Sequence, residues 1–281
     1  MESSTSRRLS IIGGLAVAAA LTFSPAVAAS AGSGIPEPII GGSEVQPGQY
    51  PFMAALLNPA RPEERGGQFC GGSLLTPNAI LTAAHCVTGL KPSDFRVAVG
   101  RTDLSNPAQG HERGVKSIDI HPDFSPDKGV NAYDIAVVTL DQPVFGVTPV
   151  TLPTTGTDAL LRPGSLVTAL GWGTTEADQF TPAERLRMVP LPILDNEECA
   201  LSAADPESII GFDPAVEFCA GVTGKSACYG DSGGPLVKSH NGRFYQIGIV
   251  SRGLRCAGQG TPGIYTSLSS APLWDSFLPK K

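Results

Sequence analysis

Cys228-Tyr-Gly230-Asp231-Ser232-Gly233-Gly234-Pro235 sets one serine among three glycines. Glycines leave the hydroxyl unscreened and let backbone N–H groups approach a bound carbonyl oxygen, which is the geometry of an oxyanion hole. Alone, the stretch also suits a Gly-rich turn, and Gly230 to Gly234 fits the Gly-x-Ser-x-Gly elbow of α/β-hydrolases. That elbow needs an acid and a histidine downstream of the serine, on alternating strands and helices. Only His240 follows Ser232 before the chain ends at Lys281, and the alternation is missing, so the elbow reading fails.

Two upstream stretches carry the other reactive side chains. Leu81-Thr-Ala-Ala-His85-Cys86 puts a histidine after a strand end of small residues, and Tyr133-Asp134-Ile135-Ala136-Val137-Val138 puts a carboxylate at the mouth of an apolar strand. By itself the histidine suits a buried hydrogen-bonded group or a metal ligand, and the aspartate a turn cap. A buried carboxylate, however, needs N–H donors. Metal spacing is lacking. His111-Glu112 meets Val115 where a zinc helix would carry its second histidine, and the six cysteines include no Cys-x-x-Cys pair. Neither a metal nor a cofactor is expected.

The chain of 281 residues holds 33 glycines and 25 prolines, about a fifth of the total and without a Gly period. That composition predicts many turns between short strands. With 41% hydrophobic and 16% charged residues the chain is not a disordered one. Twenty basic against 26 acidic residues give −6, and no basic run marks a nucleic-acid surface. Apolar runs recur at Phe52–Leu57, Gly72–Leu75, Ala79–Ala83, Phe95–Gly100, Ile135–Leu140, Ser165–Leu170, Arg187–Ile193, Pro235–Lys238, Phe244–Ser251 and Gly263–Thr266. Helical patterning is confined to Asn196–Ala204 and Ser269–Leu278, the latter weakened by Pro272. An all-β chain closed into barrels or sandwiches hides so many strand edges, and two packed barrels fit this length better than one.

Arg7 and Arg8 precede an apolar run from Leu9 to Phe23, followed by Ala26-Val-Ala28. The order is that of a signal peptide, and the run is shorter than the roughly twenty residues a bilayer requires. Export with cleavage near Ala28 is expected, with no other membrane segment. An oxidising destination lets six cysteines form three bridges.

His85, Asp134 and Ser232 stand in the order His, Asp, Ser, and here the sequence resembles the chymotrypsin/trypsin family of serine endopeptidases. The resemblance runs through Ile39-Ile-Gly-Gly42, Cys70-Gly-Gly-Ser-Leu74, Thr82-Ala-Ala-His-Cys86, Asp134-Ile-Ala136, Gly171-Trp-Gly173, Gly230-Asp-Ser-Gly-Gly-Pro235 and Pro262-Gly-Ile-Tyr265. It implies two six-stranded antiparallel β-barrels with a short C-terminal helix and the active site in the cleft between barrels. The expected layout is a signal peptide over 1–28, a propeptide over 29–38, and barrels over 39–155 and 156–281. It also implies Ser232 as nucleophile, His85 as general base and acid, Asp134 as its orienting partner, and the N–H groups of Gly230 and Ser232 as oxyanion donors. The implied bridges are Cys70–Cys86, Cys199–Cys219 and Cys228–Cys256.

In the family, cleavage frees the amine of the residue corresponding to Ile39, which pairs with the aspartate corresponding to Asp231. Family zymogens commonly carry Arg or Lys before that bond, whereas this chain has Pro38, so a separate activating protease is expected. The implied pocket comprises Ser226, Ala227, Tyr229, Ser251, Arg252, Gly253 and Gly263. Ser226 stands at the floor where a trypsin-like enzyme has Asp, which favours a large apolar substrate side chain. Arg252 replaces a usual Trp. It is expected as a solvated arginine over the rim, with a preference for acidic or mixed subsites as the alternative. The partners implied are protein or peptide substrates, without nucleic acid or membrane, for a secreted monomer. A non-catalytic binding homologue and an esterase are the rival functions.

Overall fold

The computed structural model describes residues 1–2, 39–62, 65–126, 131–154, 158–177, 179–203, 211–253, 255–256 and 261–278. Apart from residues 1–2, the expected signal peptide and propeptide lie outside the described residues. The strands are β1 (Ser43–Glu44), β2 (Met53–Leu57), β3 (Gln68–Thr76), β4 (Ala79–Thr82), β5 (Arg96–Val99), β6 (His111–Arg113), β7 (Val115–Ile120) and β8 (Ala136–Leu140). They continue as β9 (Leu166–Gly171), β10 (Thr174–Glu176), β11 (Gln179–Pro182), β12 (Arg187–Pro192), β13 (Glu217–Ala220), β14 (Pro235–His240), β15 (Arg243–Arg252) and β16 (Gly263–Ser267). Three short helices complete the described chain: α1 (Ala84–Val87), α2 (Asn196–Ala203) and α3 (Ala271–Ser276). Pro272 falls in the first turn of α3, where its missing N–H costs no helical bond.

Two antiparallel sheets form, in the orders β6-β5-β2-β3-β4-β8-β7 and β1-β12-β9-β14-β15-β16-β13. Each counts seven strands, one more than the six of the expected barrels, and the reason differs between them. In the first sheet the two outer strands, β6 and β7, are one stretch of chain broken at Gly114, where a Cβ would sit 2.5 Å from the Asp141 carboxylate. That continuity joins the two sheet edges, and curling around it removes them. In the second sheet the extra strand is β1, which pairs through Ser43↔Met188. There a bridge between Ile193 and Ala220 links the end of β12 to β13.

The first sheet encloses Phe52, Leu56, Leu74, Ile80, Leu81 and Val138, together with Leu273 and Trp274 of α3. The second encloses Val167, Val189, Leu191, Phe218, Leu236 and Ile247, joined by Ile39. Strand β2 is buried at all five positions, which explains its unbroken apolar reading rather than an alternating one.

The pairing places the reactive residues. Strands β4 and β8 pair with Thr82 opposite Ala136, so the residues just outside that pair, His85 on α1 and Asp134, emerge at the same end. On the second sheet Pro235 pairs with Ile249, which brings Ser232, just before β14, beside Ser251 near the end of β15. A buried bond helps tie the two sheets: Ser73 Oγ on β3 donates to Gln246 Oε1 on β15 at 2.5 Å, both side chains being fully buried. Replacing Ser73 with Ala would leave that carbonyl oxygen unsatisfied. A loss of about 1–3 kcal/mol in the free energy of urea unfolding is expected.

Candidate active site

Asp134 is 2% exposed and spends both carboxylate oxygens on the histidine segment and β15. His85 Nδ1 lies 2.7 Å from Oδ2, and the His85 backbone N–H donates to Oδ1 at 2.8 Å. Ser251 Oγ donates to Oδ2 at 2.7 Å, and Thr266 Oγ1 donates to the Asp134 carbonyl at 2.9 Å. Burial alone would raise the Asp134 pKa. The His85 ring and its charge, then Ser251 and the His85 amide, more than offset it and hold the carboxyl below its ordinary range. The bond to Nδ1 fixes the ring tautomer and leaves Nε2 as the atom able to take a proton.

Around Ser232 the backbone is anchored peptide by peptide. The Tyr229 carbonyl accepts from Thr174 N at 2.8 Å. The Gly230 carbonyl accepts from Gln68 Nε2 at 2.9 Å, and Asp231 N donates to the Cys228 carbonyl at 3.0 Å. The Asp231 carbonyl accepts from Gly234 N at 2.9 Å. Among the described residues, the N–H groups of Gly230 and Ser232 donate to nothing. Donors without an acceptor on either side of one peptide are what a developing oxyanion needs. Gly230 has φ 95°, open only to glycine at little cost. The Ser232 hydroxyl makes no hydrogen bond to His85 among the described residues; such contacts are commonly long without substrate and tighten on binding.

The neighbouring carboxylate has the most confined position in the site. Asp231 is 1% exposed and accepts from Gly173 N at 2.7 Å and Cys228 N at 2.8 Å. A Cβ on Gly171 would come within 2.1 Å of Asp231 Oδ1, and one on Gly173 within 2.4 Å of the same carboxylate. These two glycines are therefore required by the side chain they cradle. Burial pushes the Asp231 pKa up to about 6, against the pull of the two N–H groups and the Arg65 guanidinium. Ile39 is fully buried, and the segment after it reaches the pocket, where Ser226 N donates to the Ile40 carbonyl at 3.3 Å.

Ser226, Ala227, Tyr229, Ser251, Arg252, Gly253 and Gly263, the expected pocket residues, line one cavity of about 230 Å³ together with Ser232. Among the described residues no carboxylate lines it. The Ser226 hydroxyl is turned onto the Ala227 carbonyl, and Tyr265 at the base stays protonated because burial and the Asp231 charge both raise its pKa. A Cβ on Gly253 would reach within 3.7 Å of the Gly263 Cα, so both glycines keep the slot open.

Arg252 corrects the expectation of a solvated arginine. Its guanidinium holds Glu217 by two bonds, Nη1 to Oε1 at 2.5 Å and Nη2 to Oε2 at 2.9 Å, and also donates to the carbonyls of Asn131 and Gly211. The Glu217 side chain is fully buried, and burial raises its pKa while Arg252 opposes the rise. A buried carboxylate needs a charged partner, and the planar fork of a guanidinium meets its two oxygens at once.

The three bridges Cys70–Cys86, Cys199–Cys219 and Cys228–Cys256 are present as expected. The first joins β3 to α1, and the last joins the Ser232 loop to the chain beyond β15. A sequence profile described as Trypsin matches residues 39–274. The chain belongs to the trypsin family. It is 34% identical to a protein named Trypsin from Saccharopolyspora erythraea, over 83% of this chain and 94% of that one. It is 36% identical to Serine proteinase stubble of Drosophila melanogaster, over 84% of this chain and 30% of that one. Glucanase inhibitor protein 2 of Phytophthora sojae is 33% identical, over 92% of this chain and 85% of that one.

Four residues of this trypsin-family site carry no signal in the linear sequence: Arg65, Gln68, Thr174 and Glu217. Each acts on a partner far along the chain, and none belongs to a motif. Asp231 supplies a test of the site's electrostatics. In the folded intact chain it keeps its proton up to about pH 6, whereas the unfolded chain releases it near 3.8. Within that window the folded state binds more protons, so stability falls as pH rises through it and the full cost is present above it. Between pH 4 and pH 7 the intact chain should lose about 2 kcal/mol relative to an Asp231→Asn variant, which has no such group. Parallel urea titrations of the two proteins would measure the difference.

Proposed function

We propose that the protein is a secreted serine endopeptidase that prefers large apolar side chains at the cleaved bond. The observation that supports this best is the slot opening beside Ser232, which no described carboxylate lines, next to a paired His85–Asp134 and two unspent N–H donors. Ser232 Oγ attacks the substrate carbonyl carbon while His85 Nε2 takes its proton. The carbonyl oxygen, now anionic, receives the N–H groups of Gly230 and Ser232, each worth roughly 3 kcal/mol of barrier. His85 then protonates the leaving amine, and water, activated by the same nitrogen, releases the acyl group from Ser232. Asp134 stabilises the imidazolium and does not itself take the proton.

Arg252 bears on specificity through its partner. Paired with Glu217, it offers the pocket little net charge, which supports apolar over acidic preference and leaves the exposed Arg255 as the other cation on the described lining. Substrate profiling of protein trimmed to begin at Ile39 should show cleavage after Phe, Tyr or Leu. Predominant cleavage after Asp or Glu would overturn the assignment. Replacing Glu217 with Gln removes the compensating charge. Cleavage after Glu relative to Phe should then rise on the order of tenfold, as expected for one unscreened charge at the pocket wall.

Trimming matters for a backbone reason as well. Ile39 has φ 39° in the intact chain, a left-handed value that costs a β-branched residue about 1–3 kcal/mol. Cleavage before Ile39 abolishes that torsion and frees an amine that can pair with buried Asp231. Pro38 argues for a processing protease other than a trypsin-like one, and the three disulfides and the Arg7–Ala28 pattern support secretion. The trimmed protein should lose activity above the amine's titration, because a neutral amine cannot hold Asp231. A pH profile flat to well above that point would count against the pairing. The relative named Glucanase inhibitor protein 2 gives the rival reading, a binding module without catalysis. A peptidyl phosphonate that labels the trimmed protein but not its Ser232→Ala variant decides for the peptidase, and no labelling decides for the binding module.

A further inference from the structure

The oxyanion donors belong to two peptide groups, 229–230 and 231–232, with one peptide between them. Both outer peptides are held by backbone bonds, through Thr174 N on the Tyr229 carbonyl and Gly234 N on the Asp231 carbonyl. The middle peptide is bound at its N–H end by the backbone, Asp231 N donating to the Cys228 carbonyl at 3.0 Å, but its carbonyl, that of Gly230, is held by a side chain from the other sheet. Gln68 Nε2, at the start of β3, donates to it at 2.9 Å. The rotation of this middle peptide sets the angle between the two donor N–H vectors. Glycine at 230 supplies no side chain of its own to oppose that rotation.

Gln68 is 4% exposed, and its amide is oriented by a second residue. Arg65 Nη1 donates to Gln68 Oε1 at 2.7 Å, which commits Nε2 to the Gly230 carbonyl. The same Nη1 donates to the Trp172 carbonyl at 3.0 Å, and Nη2 to the Gln68 carbonyl at 3.3 Å. The backbone delivers Arg65 by a left-handed turn, with φ 53° at Arg65, 63° at Gly66 and 81° at Gly67. At Gly67 a Cβ would fall 2.0 Å from the Asn58 carbonyl oxygen, so the turn admits no other residue there. Outward, the guanidinium faces the Phe180 ring at 5.8 Å. One arm thus touches both loops that enclose Asp231: the Gly230 loop through Gln68, and the Gly171–Gly173 segment through the Trp172 carbonyl.

We infer that Gln68, oriented by Arg65, is a positioning residue for the oxyanion hole, holding the 230–231 peptide so that the Gly230 and Ser232 N–H groups converge. The inference rests on the peptidase reading above and adds residues from outside the motifs that identify it. Gln68 touches no substrate atom. Its effect falls on the transition state, where the oxyanion forms, and hardly on the ground-state complex.

The test uses the trimmed protein and a Gln68→Glu variant. Glutamate keeps the size and the contact to Arg65 but offers Gly230 no donor. A fall in kcat of about tenfold is expected with KM within twofold, the shift that loss of one such bond makes in a two-state loop. Affinity for a peptide aldehyde, which forms a tetrahedral oxyanion on Ser232, should weaken by the same factor. Affinity for the carboxylic-acid product peptide, which fills the same slot without that adduct, should stay constant. Arg65→Met, which leaves Gln68 in place but unoriented, should give the same split at a few-fold. It keeps the inference testable if Gln68→Glu fails to fold. Unchanged kcat and aldehyde affinity in a folded variant would overturn the inference, as would equal weakening of aldehyde and product. Absence of turnover and of phosphonate labelling in the unsubstituted protein would instead overturn the peptidase reading itself.

Discussion

A carboxylate with no water around it organises this site. Asp231 lies in a cradle that only glycine at 171 and 173 leaves open, and it accepts two backbone N–H groups there. Because it precedes Ser232, whatever fixes Asp231 also fixes the nucleophile and the peptides on either side of it. Two N–H donors do not compensate a fully buried charge, which is why its pKa lies near 6 in the intact chain. The site is therefore built around an electrostatic deficit that a further cation would fill. The fully buried Ile39 and the bond from Ser226 N to the Ile40 carbonyl place the N-terminal segment against the same loops. Pocket floor, oxyanion loop and N-terminal segment share one set of contacts.

The opposite wall is solved by strand register rather than by charge. Pairing Thr82 with Ala136 leaves His85 and Asp134 adjacent beyond the strand ends, 49 residues apart in sequence. Ser251 then reaches Asp134 from the second sheet, so one carboxylate receives bonds from both. The Cys70–Cys86 bridge secures α1, only four residues long and without a side-chain cap, to β3. A helix that short has no stability of its own, and its histidine is placed by what surrounds it.

How much of this was legible beforehand follows from the range of each signal. The ten apolar runs all appear as strands, because burial on one or both faces writes itself into neighbouring residues. Strands β1, β6, β7 and β13 and the β10–β11 hairpin lie outside those runs. His111–Arg113 and Val115–Ile120 are half exposed and carry polar residues, and Gly114 divides what is in effect one strand. The triad, the pocket residues and the three bridges were legible only through ordered motifs resembling a known family. Arg65, Gln68, Thr174 and Glu217 were not legible at all. Gln68, Thr174 and Glu217 make their decisive contacts across more than thirty residues, and Arg65 acts through Gln68 and the distant Trp172 carbonyl, so none of the four differs in sequence from a residue facing solvent.

Arg252 shows how such a hidden partner reverses a local reading. Taken from the sequence, Arg252 is a solvated arginine over the rim, with an acidic or mixed preference as the alternative. In the fold the charge is already answered by Glu217, whose side chain is fully buried on β13, with Asp213 N donating to its other face. Burying such a pair is not in itself stabilising, since desolvation takes back much of the attraction. What it provides is a fixed shape, because two bonds and two further carbonyls leave the guanidinium one orientation. Arg252 also follows Ser251, the donor to Asp134, with Nη1 3.3 Å from the Ser251 hydroxyl. The ion pair at the pocket wall and the carboxylate behind the histidine are thus joined through one serine. A change that disturbs Glu217 acts on the pocket's charge and on the orientation of His85 together.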